Sequence, residues 1–176
     1  MSATWVDRRV ASQAAQERVL RPMTTAQLNA VMAIEVAAYA FPWTRGNFVD
    51  SIVAGHPTGL LFGAADELLG YFVAMVGVDE MHLLNIAVAP AAQGRGHARF
   101  LIDALVERCR NHAARKLWLE VRDSNLRARD IYQRLGFASI GVRKGYYPAA
   151  SGRREDAVVM RLTLDASSAE TPDALD

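Results

Sequence analysis

The chain has 176 residues, 51% hydrophobic and 22% charged, with a net charge of +1. That suffices for one globular domain with a buried core, and it excludes the strong positive field of a polyanion-binding protein. One cysteine allows no internal disulfide, and no apolar run approaches the ~20 residues that would span a membrane.

Residues 1–17 are polar and alanine-rich with Trp5 as the one large anchor, and are expected to form a loosely attached extension. Asp7, Arg8 and Arg9 stand there without the apolar run of a secretory signal. With the lone cysteine, this gives an expected cytoplasmic location. The domain is expected over residues 18–164. Residues 19–22 read as a short strand. Thr24 and Gln27 have the spacing of a capping box, opening a helix with Leu28, Val31, Met32 and Glu35 that ends near Tyr39. Phe41-Pro42-Trp43 is an aromatic break. Thr44 and Asn47 open a second short helix carrying Phe48 and Ile52, closed by Gly55. Residues 59–64 and 68–76 flank the turn Ala65-Asp66-Glu67 and read as a hairpin.

A strand over residues 81–89 is stopped by Pro90, which has no N–H for a ladder. A glycine-bearing loop follows. Ala98, Leu101, Ile102, Leu105, Val106 and Cys109 then recur at helical spacing to about Ala113, with Cys109 on the apolar face. Residues 116–122 alternate, with Leu117, Leu119 and Val121 on one strand face and Trp118 and Glu120 on the other. Ser124 is the expected N-cap of a helix with the stripe Ala128, Ile131, Tyr132 and Leu135, ended by Gly136. Residues 137–142 read as a strand, 143–154 as a loop and 156–164 as a last strand. The Ala/Ser/Asp/Glu-rich tail, 165–176, is expected to be disordered. The order βααβββαβαββ implies an α/β (α+β) fold, a mixed sheet of six to seven strands with helices on both faces.

The loop between the strand at 81–89 and the long helix holds the first chemical clue. A helix N-terminus behind glycines presents free N–H groups and a positive dipole end, which suits a phosphate. A Walker loop is excluded, because no Gly-Lys-Ser/Thr occurs. A dinucleotide fingerprint needs a third small residue where Arg99 stands, although Glu120 could serve as its ribose-binding acid. Gln93, Gly96 and Ala98 give Gln-x-x-Gly-x-Ala. An ordinary strand-to-helix turn, with its glycines there for geometry, explains the six residues equally well.

Gln-x-x-Gly-x-Ala resembles the pyrophosphate-binding motif of the GCN5-related N-acetyltransferases (GNAT). Further stretches resemble the branch of that family that acetylates the N-terminal alanine of a small-subunit ribosomal protein. They are Ala40-Phe41-Pro42-Trp43, Asn85-Ile86-Ala87-Val88, Leu117 to Arg122, Ser124-Asn125, Ile131 to Phe137, Tyr146-Tyr147-Pro148 and Arg154 to Ala157. Their shared order makes the resemblance specific, from about Val19 to Leu164.

The resemblance implies a GNAT fold and an acetyl-CoA-dependent N-α-acetyltransferase working by direct amine attack. Glu120 matches the general base and Tyr132 the general acid. Burial, to which Trp118 would contribute, would help Glu120 by raising its pKa, and so would a relaying water. Ile86, Ala87 and Val88 would bind the cosubstrate through backbone groups of a strand that parts from its neighbour. Gln93, Gly94, Arg95, Gly96, His97, Ala98 and Arg99 would hold its pyrophosphate. Asn125 would bond its arm, or else cap a helix. Phe41, Pro42, Trp43, Tyr146 and Tyr147 would form peptide walls. The expected partner is the N-terminal peptide of a ribosomal protein, with no nucleic acid or membrane bound. The alternatives are the same fold acting on protein lysine or a small-molecule amine, and a CoA-binding interaction module without catalysis. His56, His82 and His112 lack metal-ligand spacing with Cys109, so no metal is expected.

Overall fold

The computed structural model describes residues 18–164. The expectations for 1–17, Trp5 among them, and for 165–176 lie outside the described residues. The elements are β1 (Val19–Arg21), a 3-10 turn (Thr25–Gln27), α1 (Leu28–Ala38), α2 (Arg45–Val53), β2 (Thr58–Phe62), β3 (Leu68–Val76), β4 (Glu80–Val88), α3 (His97–Asn111), β5 (Lys116–Arg122), α4 (Leu126–Arg134), β6 (Ala138–Pro148) and β7 (Arg154–Thr163). This is the order that the sequence implies. The strands form one seven-stranded sheet ordered β1-β2-β3-β4-β5-β7-β6. Only β4 and β5 pair in parallel, across the α3 crossover.

The capping box predicted at Thr24 forms, and the helix start predicted at Thr44 is a capping box too. Gln27 Oε1 accepts from Thr24 N at 2.9 Å, and Asn47 Oδ1 accepts from Thr44 N at 2.8 Å. Gly55, at φ +71°, ends α2 in the left-handed region. Two expectations are corrected. Asn125, not Ser124, caps α4, its Oδ1 accepting from Ala128 N at 3.1 Å. The segment 143–154 is not all loop: β6 runs on to Pro148, pairing Tyr147 with Glu155 and Pro148 with Arg154. β6 is an edge strand exposed along most of its length, so it lacks the apolar alternation that marks a strand in sequence.

Period-2 alternation divides the sheet between two cores. Leu61, Phe72, Ala74, Met81 and Leu83 pack with Leu101, Ile102, Leu105 and Cys109 of α3. Leu60, Phe62, Tyr71 and Val73 pack with Leu28, Val31 and Ile34 of α1 and with Phe48 of α2. β4 changes phase partway. Its register with β3 steps from Ala74–Leu83 to Val73–Asn85, leaving Leu84 as the extra residue of a bulge. Met81 and Leu83 face the α3 core before the bulge; after it Val88 does, while Ala87 faces α1. A bulge bends its strand. β4 accordingly stays paired with β3 to Val88, but its pairing with β5 ends at Leu83–Leu119. The two strands part at their C-terminal ends.

Candidate active site

The parting opens a cavity of about 830 Å³. Leu84 to Val88 line one side, Glu120 to Arg122 the other, and Tyr132 of α4 reaches the same space. Beyond Leu83 the backbone groups of β4 that face β5 have no strand partner. Two carbonyls there are taken by side chains: Ile86 O accepts from the Tyr39 hydroxyl, and Val88 O accepts from Gln93 Nε2 at 3.2 Å.

The glycine loop closes one end. Gly94 and Gly96 sit at φ +77° and +78°, a region that residues with a side chain rarely adopt. Gly96 is the N-cap of α3 and supplies no capping side chain. The first N–H groups of α3 therefore lack both an intrahelical acceptor and a cap, and Gly96, His97, Ala98 and Arg99 line the cavity. His97 is buried, and its Nδ1 has no hydrogen-bond partner among the described residues. Burial, then the charges of Arg18 and Arg95, lower its pKa, so it is a neutral imidazole near pH 7. Unclaimed donors at a helix start, beside an unpartnered strand edge, fit an extended ligand with amide groups and a phosphate end, such as a pantetheine pyrophosphate. Arg127 belongs here too, donating to Gln93 Oε1 at 3.0 Å on the cavity wall.

Glu120 lines the cavity with only 8% of its side chain exposed. Its setting is ionic rather than apolar. His82 Nε2 lies 2.5 Å from Oε2, and Arg143 lies 3.2 Å from Oε1. Burial pushes the carboxyl up, but the His82 hydrogen bond, the His82 charge and the Arg143 charge together outweigh it, and the net shift is down. The expectation of a base strengthened by burial is thus corrected. Trp118 instead carries the Arg161 guanidinium, 5.7 Å from its ring. Tyr132 packs against Phe137 with ring centroids 5.5 Å apart, and loss of solvent pushes its phenol up to about 12.

Most of the sequence-predicted residues meet on this one cavity: Ile86, Ala87, Val88, Gln93, Gly94, Gly96, His97, Ala98, Arg99, Glu120, Asn125, Tyr132, Phe41, Trp43 and Tyr147. Arg95, Pro42 and Tyr146 do not line it. Asn125 does both things considered for it, capping α4 and facing the cavity. Sequence reasoning missed His82, Arg143 and Tyr39 as partners in the site. It also missed the part played by Glu35, which is 1% exposed. The Glu35 carboxylate accepts from Trp43 N at 2.6 Å, from the Tyr71 hydroxyl and from Asn85 Nδ2 at 3.3 Å, so it fixes the aromatic break against β3 and β4.

The model of the Acetyltransferase (GNAT) family matches residues 28–137. The chain belongs to the GNAT family of acetyltransferases. Among relatives, it is 38% identical over 136 residues to the [ribosomal protein bS18]-alanine N-acetyltransferase of Haemophilus ducreyi, covering 77% of this chain and 93% of that one. Identity to the Salmonella typhimurium protein of the same name is 37% over 142 residues, covering 81% and 95%. The crystal structure of the Escherichia coli ribosomal-protein-S18-alanine N-acetyltransferase superposes with a TM-score of 0.78 at 32% identity, covering 88% of this chain and 99% of that one. The seven-stranded mixed sheet parted between β4 and β5 is thus a GNAT sheet, and the parted ends are where this GNAT protein keeps its cavity.

Proposed function

We propose that this chain transfers the acetyl group of acetyl-CoA to the α-amine of a protein N-terminus, its substrate being the N-terminal alanine of the ribosomal protein bS18. The observation that carries the reading is the convergence of Glu120, Tyr132, the open edge of β4 and the start of α3 on one cavity. The names of the relatives support the substrate.

Acetyl-CoA, when bound, supplies the activated acyl group and a thiolate leaving group. The chain's own residues hold and move the protons. Glu120 is anionic and a weak base, because His82 and Arg143 stabilise its charge. Pulling a proton from an ammonium of pKa ~8 onto a carboxylate held below its ordinary range is steeply uphill. Glu120 therefore serves an amine that arrives neutral, and takes its proton as the nitrogen forms its new bond and turns acidic. About a fifth of an α-amine is neutral near pH 7.4, against about a thousandth of a lysine. A base of this strength thus favours N-termini. Tyr132 stays protonated at any working pH and so always offers a hydrogen bond to the departing sulfur. With its phenol near 12 and a thiol near ~8.5, complete proton transfer is uphill, and hydrogen bonding to the thiolate is its main contribution.

Thiol release from acetyl-CoA tests the reading. A peptide beginning Ala-Arg-Tyr is expected to turn over. A peptide with a blocked N-terminus and an internal lysine is expected to be at least a hundredfold slower, following the difference in neutral amine. Equal rates on both would overturn the N-α assignment.

A further inference from the structure

We propose that Arg122 is the positioning residue that sets the width of the peptide entrance, a reading that rests on the function proposed above. Arg122 ends β5, two residues after Glu120, and lines the cavity. Its guanidinium lies against two aromatic rings from distant parts of the chain, 5.2 Å from the centroid of Phe41 and 4.5 Å from that of Tyr147. Phe41 belongs to the connection between α1 and α2, and Tyr147 to β6. Both rings line the cavity, and the guanidinium, in contact with each, is the spacer that joins them.

The spacer is itself held. Arg122 Nη1 donates to Pro148 O at 2.9 Å and to Glu155 Oε2 at 3.0 Å. The other oxygen of Glu155 accepts from Ser124 N at 2.7 Å, which ties the start of the α4 connection to the same point. Tyr147 is fixed at its far end, its hydroxyl donating to Glu120 O at 3.0 Å. One side chain thereby sets the distance from the Phe41 wall to the Tyr147 wall, and from both walls to the strand that carries Glu120.

Glu155 neutralises Arg122, so the guanidinium is not a free cation awaiting a substrate carboxylate. Its contact with the two rings is what the geometry uses. Lysine keeps the charge but has no broad delocalised plane to lay against two rings. The consequence falls on substrates long enough to reach the walls. On this proposal the residues that follow the N-terminus of a peptide meet Phe41 and Tyr147, and a single amino acid amide meets them far less.

The test is steady-state kinetics of Arg122→Lys against the unaltered protein. Two acceptors are used, a peptide beginning Ala-Arg-Tyr and alanine amide. Arg122→Lys is expected to raise KM for the peptide about tenfold, as the loss of stacking on two rings implies. It is expected to leave KM for acetyl-CoA within twofold, and to lower kcat/KM for alanine amide far less than that for the peptide. Phe41→Leu is expected to raise peptide KM by itself, and to add little when combined with Arg122→Lys, because both remove the same stack. Equal losses on peptide and amide would mean that Arg122 acts on the fold or on the chemistry, and would overturn the proposal. So would an unchanged peptide KM. If the unaltered protein turns over neither acceptor, the functional reading fails first; turnover of both with no split in the variant sinks the spacer role alone.

Discussion

As the base of the proposed reaction, Glu120 carries two demands that pull against each other. A stronger base would need burial without cations; a carboxylate fixed in aim needs partners. His82 and Arg143 supply the second at the expense of the first. Glu120→Gln keeps the shape and removes the proton acceptor, so kcat is expected to fall by about two orders of magnitude or more, with KM for acetyl-CoA little changed. The same pair predicts an acid sensitivity. The carboxyl pKa of Glu120 is lower in the folded chain than in the unfolded one. Its stabilisation is therefore fully present above the unfolded value of ~4.3, and is lost as pH falls through the lower folded value. Urea midpoints of the unaltered protein and of Glu120→Gln are expected to differ near neutral pH and to converge at the acid end. A gap that widened toward low pH would contradict the ion-pair account. None of this pairing is visible in the sequence: His82 and Glu120 stand 38 positions apart, Tyr39 and Ile86 47 apart, and Glu35 and Asn85 50 apart. Only the folded sheet brings them together, whereas Thr24 with Gln27 and Thr44 with Asn47 were legible because a cap is settled within four residues.

At the scale of elements, the decisive event is the bulge at Leu84 and the parting that follows it. A run such as Leu83-Leu84-Asn85-Ile86-Ala87-Val88 has no glycine or proline to announce a bulge. The sequence therefore predicted a strand but not its change of phase. The parting itself was expected only through the family resemblance. β3 approaches the bent part of β4 closely at Gly70, where an added Cβ would stand 2.5 Å from Ala87 O. Gly70→Ala must push β3 away from β4 on the paired side, behind the open edge. It is expected to cost about 1–3 kcal/mol of stability and to raise KM for acetyl-CoA, both readable from thermal unfolding and kinetics of the one variant. An unchanged KM beside lowered stability would mean that the edge tolerates the shift. β6 is the other instructive element. Residues 143–148 contain two charges, a glycine and a proline, and only their pairing with β7 makes them a strand.

On the scale of the whole molecule, the sheet separates two cores and lets each do a different task. α1 and α2, opened by legible caps, hold the Phe41 and Trp43 side of the mouth through Glu35. α3 and α4 hold the glycine loop and Tyr132 against the other face. Helical stripes and strand alternation were sufficient to read both cores, because burial is periodic and periodicity is local. The cavity belongs to neither core. It lies where the sheet leaves its own hydrogen bonding incomplete, between Leu83–Leu119 and the ends of β4 and β5. An unpaired edge elsewhere would invite another chain to add a strand; here it is internal, so only a thin extended molecule can take that place. On the proposed function the protein is a sheet with one missing rung, which the cosubstrate would complete anew in each turnover. Hydrogen exchange would record it: the amides of Ile86 and Val88 should exchange as in a fraying strand when the protein is alone, and slow by the factor that binding adds to stability when CoA is supplied, while Met81 and Leu83, already paired on both sides, should not change.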